Sequence, residues 1–76
     1  MKRLYTFKSR VGSFYIAEHG RRFHVWFEEQ DLGDYPTVQQ AIGNLTRGET
    51  FRIPEGVDTR ELGIPSDLRT WEKLPE

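Results

Sequence analysis

The sequence predicts an α+β domain in which an antiparallel sheet of three or four strands packs on one helix, with a short C-terminal helical segment. Three observations support this fold class. Residues 4–27 alternate in polarity with a period of two, residues 38–45 carry apolar side chains at helical spacing, and turn residues separate the two patterns. A chain of 76 residues supports one modest core, so a single domain spanning 1–76 is expected.

Three stretches predict strands: LYTFKSR, SFYIAE and RFHVWFE. Each alternates in polarity and is rich in aromatic or β-branched side chains, as half-buried strands are. Val11–Gly12 and His19–Gly20 separate the stretches and predict two hairpin loops, because glycine supplies the positive φ that two-residue loops need. A bulged loop is the alternative. With these loops, Tyr15 is expected opposite His24.

Both hairpins predict the same division of side chains between the two sides of the sheet, because successive side chains of a strand point to opposite sides. One side, the core face, is expected to carry Tyr5, Phe7, Phe14, Ile16, Phe23, Val25 and Phe27. The opposite side, the outer face, is expected to carry Lys8, Arg10, Tyr15, Arg22, His24 and Trp26.

A short strand and a helix are predicted next. EEQD predicts a polar turn, and LGDY predicts a fourth strand. Thr37, with Gln40 three residues later, predicts a capped helix start, and Gly48 predicts the helix end. The apolar residues of this helix are expected to pack on the core face: Val38, Ala41, Ile42 and Leu45.

The last third of the chain predicts short local elements. TFRI predicts an extended segment. Asp58 and Gly63 bound a predicted helical turn, and Ser66 is the predicted cap of a short helix that places Leu68 and Trp71 on one side.

Charge is unevenly distributed along the chain, although the net charge is only −1. Residues 1–27 carry six Lys and Arg against one acid, a balance of +5; residues 28–76 carry five against eleven acids, a balance of −6. The two parts are therefore expected either to complement each other within the domain or to present a basic side to an anionic partner.

Composition excludes several classes of protein. The chain has no cysteine, which excludes disulfides and thiolate chemistry. No apolar run approaches the roughly 18 residues of a membrane-spanning helix, and MKRLYTFKSR lacks the apolar region of a secretory signal. We therefore expect a soluble cytoplasmic protein that does not insert into a membrane.

Catalytic and metal-binding patterns are weak. His19 and His24 flank a predicted turn without a third ligand, and the acids of EEQDLGD lack the spacing of a calcium loop. Ser9, Ser13 and His24 share a predicted sheet region, but no acid is evident that would orient the histidine. We therefore expect neither an enzyme nor a metal site nor a bound cofactor.

Two resemblances extend this interpretation. The succession SFYIAEHGRRFHVWFEEQDLGDYPTVQQAIGNLTRGETF, with GVDTRELGIPSDLRTWE after it, resembles a group of small bacterial single-domain proteins without an established activity. The shorter stretch FHVWFEEQDLGDYPTVQQAIGNL is similar to the strand, turn, LG-x-Y and helix pattern of the arm-type DNA-binding domains of phage integrases and of plant ethylene-response DNA-binding domains. This likeness implies three strands, one helix and a sheet face that contacts DNA. The sequence differs from those domains in its acidic turn, which carries Glu28, Glu29, Asp31 and Asp34.

The outer face is the predicted binding site, with Lys8, Arg10, Tyr15, Arg22, His24 and Trp26 as its residues. Cations beside flat rings suit single-stranded nucleic acid. A net charge near zero and the lack of catalytic patterns favour a protein partner instead. A third interpretation is that residues 62–71 fold over Tyr15 and Trp26 as a second core.

We therefore expect a small non-catalytic interaction or regulatory accessory protein, a monomer or weak dimer, that binds a protein partner through a sheet face or edge. Weak nucleic-acid binding through the outer face is the alternative function.

Overall fold

The computed structural model describes residues 1–75 and has five strands and one α-helix. The strands are β1 (Lys2–Ser9), β2 (Gly12–His19), β3 (Arg22–Phe27), β4 (Gln30–Tyr35) and β5 (Glu72–Lys73). The helix α1 spans Val38–Arg47, and 3₁₀ turns follow at Thr59–Glu61 and Leu68–Thr70. The predicted α+β class is confirmed. The described sheet has five strands rather than the three or four expected, and the C-terminal helical segment is reduced to 3₁₀ turns.

All strand pairs are antiparallel, in the order β4-β3-β2-β1-β5. Strands β1 to β4 follow one another as hairpins, and β4 confirms and extends the predicted LGDY strand. Strand β5 then pairs with β1 at Tyr5 and Thr6. The amide of Leu74 continues this pairing, donating to the Leu4 carbonyl at 2.8 Å. The C-terminal segment therefore covers part of the β1 edge.

The register of the β2–β3 hairpin differs from the prediction by two residues. Tyr15 lies opposite Trp26 rather than His24. The loop is residues 20–21, with Gly20 at φ 64° as its first residue, a conformation that a β-carbon would penalise. Because a shift of two residues keeps the alternation, Tyr15, His24 and Trp26 still share the outer face.

The β1–β2 hairpin shows the same shift. Its loop is residues 10–11 rather than 11–12. Two hydrogen bonds of the Ser9 side chain stabilise this turn. The Ser9 hydroxyl accepts a hydrogen bond from the Val11 amide at 3.2 Å and donates one to the Gly12 carbonyl at 2.7 Å. Gly12, at φ 147°, then begins β2 instead of closing the loop.

A bulge in β1 changes which residues reach the outer face. Tyr5 pairs with Ile16 and Arg3 pairs with Ala17, so Leu4 is the extra residue. Strict alternation from Tyr5 would place Arg3 on the core face. The bulge places it on the outer face instead.

The core lies between the core face and α1. Phe14, Ile16 and Val25 are completely buried there, and α1 buries the predicted residues Ala41, Ile42 and Leu45. Each large apolar side chain buried in this way contributes about 1.5–3 kcal/mol relative to an exposed one.

Both ends of α1 are capped as the sequence predicts. The Thr37 hydroxyl accepts a hydrogen bond from the Gln40 amide at 3.1 Å, which satisfies one of the free N–H groups of the first turn. Gly48 closes the C-terminus in the left-handed conformation, with φ 70°.

The C-terminal segment also packs on the core side of the sheet. Ile64 and Trp71 belong to the same buried cluster as Phe14, and the Trp71 ring lies 5.9 Å from that of Phe7. The interpretation that residues 62–71 cover Tyr15 and Trp26 is therefore wrong, because the outer and core faces are on opposite sides of the sheet.

Two local expectations for this segment also need correction. TFRI is irregular rather than a strand, although the Arg52 amide donates to the Leu32 carbonyl at 2.9 Å along the β4 edge. The turn at Leu68–Thr70 is capped by Asp67 instead of Ser66, since the Asp67 carboxylate accepts from the Arg69 amide at 3.0 Å. The predicted turn after Asp58 forms at Thr59–Glu61.

Ion pairs connect the basic part of the chain, residues 1–27, with the acidic part that begins at residue 28. Arg3 pairs with Glu29, and Arg22 pairs with Asp34. Complementarity within the domain therefore accounts for part of the charge asymmetry. Within residues 1–75, no helix has the length and apolar character needed to cross a bilayer.

Candidate binding surface on the outer sheet face

The middle of the outer face is a cluster of four side chains that we call the aromatic centre: Met1, Arg3, Tyr15 and Trp26. Tyr15 and Trp26 are direct cross-strand partners, so their rings lie side by side on the sheet. The Arg3 guanidinium lies 4.0 Å from the Tyr15 ring centroid and 5.7 Å from that of Trp26. The Trp26 indole N–H donates to the Met1 sulfur at 3.0 Å. Cation–π attraction and this hydrogen bond hold the cluster together.

The loop between β3 and β4 fixes the position of Arg3. Its guanidinium donates to the Glu28 carbonyl at 3.2 Å and lies 3.7 Å from the Glu29 carboxylate. Glu28 has φ 51°, a left-handed conformation that is costly for a residue with a β-carbon. Its carboxylate accepts a hydrogen bond from the Ser13 amide at 2.7 Å, which ties this loop back to β2.

A histidine and an aspartate form a hydrogen-bonded pair next to the aromatic centre. The distance between His24 Nδ1 and Asp31 Oδ2 is 2.8 Å, and the other Asp31 oxygen accepts from the Gly33 amide at 2.9 Å. The His24 side chain is only 16% exposed. A carboxylate at Nδ1 favours the tautomer with its proton there, which leaves Nε2 as the free ring nitrogen.

Asp31 is thus the orienting acid that the sequence did not reveal. It does not meet either serine that was expected near His24. Ser13 lies four residues along β2 from Ala17, the strand partner of His24, and Ser9 pairs with Gly12, one residue further away. The His19 ring lies edge-on to that of His24, with 6.3 Å between centroids. Within residues 1–75, no group of three or more potential metal-ligating side chains comes together.

An ion pair borders the face on the β4 side. Arg22 Nε donates to Asp34 Oδ2 at 2.8 Å, and Arg22 Nη2 donates to the Asp34 carbonyl at 3.3 Å. The hydrogen bond from Arg22 is the main cause that lowers the pKa of Asp34 below its ordinary value. Both side chains are about half exposed, so solvent screens the pair.

The structure brings together four of the six residues predicted to bind: Tyr15, Arg22, His24 and Trp26. Lys8 lies on the same face, exposed and opposite Ser13 on β2, and has no ion-pair partner within residues 1–75. Arg10 lies apart from them in the β1–β2 loop, where its guanidinium donates to the Glu61 carbonyl at 3.2 Å.

Sequence reasoning missed several residues of this surface. Arg3 was missed because the bulge in β1 reverses its direction, and Met1 because it precedes the first strand. Asp31 was interpreted as part of the EEQD turn, whereas it belongs to β4 and lies opposite Trp26. Asp34, in the predicted LGDY strand, lies opposite His24, a pairing that the sequence did not indicate. The acidic turn was the available signal, since acids beside a predicted basic face often pair with it.

No protein family, curated protein or solved structure matches this chain. The geometry of the outer face is therefore the basis for assigning a function.

Proposed function

We propose that this chain is a small non-catalytic interaction module that binds a protein partner through the outer face of its sheet. The composition of the aromatic centre is the observation that supports this function. Met, Arg, Tyr and Trp are the residue types enriched in protein–protein interfaces, and Trp, Tyr and Arg dominate their binding energy. Met1 is exposed and Trp26 is partly exposed, so a partner has access to both.

The charges around the aromatic centre also favour a protein. Arg3 faces Glu29, Arg22 faces Asp34, and His24 faces Asp31. Both arginines thus have an acidic partner, and the border is polar, like the rim of a protein interface. A nucleic-acid backbone instead requires cations that are free to replace its counterions.

Cross-linking in cells tests the proposal, because it captures a protein partner whatever its identity. A photoreactive amino acid replaces Lys8, which is exposed on the outer face and has no ion pair to lose within residues 1–75. The matched control carries the same group in place of Phe51, which is 73% exposed and lies in the irregular segment after α1. We expect position 8 to cross-link a discrete protein in cells and position 51 not to do so.

The captured protein is then tested against Trp26→Ala and Arg3→Glu variants of the position-8 protein. Each is expected to abolish the cross-link while leaving the circular dichroism spectrum of the domain unchanged. Cross-linking of the same protein from both positions, or persistence of the cross-link in a folded Trp26→Ala variant, would contradict the proposal.

Weak binding of single-stranded nucleic acid is the second candidate function. The side-by-side rings of Tyr15 and Trp26, with Lys8 unpaired on the same face within residues 1–75, support it, since bases stack on rings beside cations. Arg3 would have to leave the Tyr15 ring to admit a base, which weakens this candidate.

Titration with a labelled single-stranded oligonucleotide distinguishes the two functions. About three phosphate contacts, from Arg3, Lys8 and Arg22, would give a slope of log affinity against log salt near −2, at about −0.7 per contact. Quenching of the protein's tryptophan fluorescence that disappears in Lys8→Glu would support nucleic acid. Absence of saturable quenching at low salt would eliminate it.

A further inference from the structure

A second surface lies at the opposite edge of the sheet from β4 and is separate from the outer face. A groove of about 350 Å³ is lined by Tyr5, Leu68, Arg69, Trp71 and Lys73. Strands β1 and β5 form one side of it, because Tyr5 and Lys73 are cross-strand partners. The 3₁₀ turn at Leu68–Thr70 supplies the other side.

The apolar part of the groove is held in place by contacts elsewhere. Trp71 is 4% exposed, and its indole N–H donates to the Pro65 carbonyl at 2.9 Å. Its ring also packs on Phe7, and Leu68 packs against the same core cluster. A ligand would therefore meet a preformed apolar wall, which lowers the entropic cost of binding.

Each of the three polar side chains that line the groove, Tyr5, Arg69 and Lys73, can donate a hydrogen bond. Lys73 has no ion-pair partner and the Tyr5 hydroxyl no hydrogen-bond partner within the described part of the chain. Asp67 holds Arg69 through Nε and Nη2, at 3.1 Å and 2.9 Å, which orients the guanidinium and leaves Nη1 unbonded within residues 1–75. An ammonium, a guanidinium N–H and a phenol suit a carboxylate, which only accepts.

We propose that this groove binds a small organic acid whose carboxylate is attached to an apolar body. The carboxylate lies between Lys73 and Arg69 Nη1, within reach of the Tyr5 hydroxyl, and the apolar body lies against Leu68 and Trp71. The volume is near the lower end of the range of about 300–1,000 Å³ for ligand pockets, so the ligand is small. This site is independent of the protein partner proposed for the outer face.

Titration with 3-phenylpropionate, followed in the ¹H–¹⁵N NMR spectrum, tests the site. The uncharged control is 3-phenylpropionamide, which has the same apolar body without the carboxylate. We expect saturable shifts confined to the amides of residues 4–6 and 68–73, and about tenfold weaker binding of the amide, equivalent to about 1.4 kcal/mol.

Two matched variants separate a specific site from general charge attraction. Lys73→Gln removes the ammonium at the groove and is expected to weaken binding of the acid about fivefold, the upper end of the range for an ion pair with an exposed lysine. Lys8→Gln removes the same charge from the outer face, where Lys8 is also unpaired within residues 1–75, and is expected to leave the affinity unchanged. Equal affinity for acid and amide, an unchanged affinity in Lys73→Gln, or no saturable shift at about 10 mM ligand would overturn the proposal.

Discussion

Replacing Thr59 with valine tests whether the C-terminal segment is a cooperative part of the domain. Thr59 is 2% exposed, and its hydroxyl donates to the Leu45 carbonyl near the end of α1 at 2.7 Å. Valine keeps the branched shape and removes the donor. The Leu45 carbonyl still accepts from the Gly48 amide at 3.2 Å, so it is not left unsatisfied. The expected cost is therefore the net value of one hydrogen bond, about 0.5–1.5 kcal/mol.

Urea unfolding followed by circular dichroism measures this cost, and a loss of about 1 kcal/mol corresponds to a fall in Tm of about 4–8 °C for a domain of this size. Thr70→Val is the matched control. The Thr70 hydroxyl donates to the Asp67 carbonyl, also at 2.7 Å, but it is exposed, so water replaces the lost bond and the change is expected to stay within about 0.5 kcal/mol. Equal unfolding midpoints for the two variants would refute the docking of this segment on α1.

Three further predictions concern the core, the β4 edge and the outer face. Phe14→Ala is expected to lower the free energy of unfolding by about 3–5 kcal/mol in urea, because Phe14 is fully buried; a loss below about 1 kcal/mol would place it outside the core. Gly33→Ala is expected to lower Tm and change the NMR shifts of the Phe51 ring, because Gly33 has φ 140° and a β-carbon there would lie 2.5 Å from Phe51 Cδ2; unchanged shifts would contradict this packing. Arg22→Gln is expected to raise the pKa of Asp34 in a ¹³C NMR titration. Since the pKa of Asp34 is lowered in the folded protein, its pairing stabilises the fold above the ordinary carboxyl pKa and stops doing so as the pH falls through the lowered value. An unchanged titration in Arg22→Gln would show that another group lowers it.

The division of the sheet into two faces was predictable because it depends only on alternation. The register was not, since hairpins that differ by two residues bury the same side chains, and local turn energetics at Ser9 and Gly20 decide between them. The helix was predictable to its ends because Thr37 and Gly48 carry local capping signals.

Features that change the alternation or join distant segments were not predictable. The bulge at Leu4 turns Arg3 toward the outer face, and a bulge in the β3–β4 pairing accompanies the contact of Asp31 with His24. The first bulge has no glycine beside it. The second has Gly33, at φ 140°, next to its extra residue Leu32, a general bulge signal that does not specify the pairing. The apolar pattern of the C-terminal segment indicated that Trp71 is buried, but periodicity cannot indicate which side of a sheet a later segment covers.

One comparison tests the function proposed for the outer face most directly. The protein captured through position 8 is purified, and its affinity is measured for the wild-type domain and for the Trp26→Ala variant. A central aromatic residue of an interface contributes about 2 kcal/mol or more, so the variant is expected to bind at least about thirtyfold more weakly. Phe51→Ala, which removes a more exposed ring outside the outer face, is expected to leave the affinity unchanged. Equal affinities for the wild-type domain and a folded Trp26→Ala variant would contradict the proposed function.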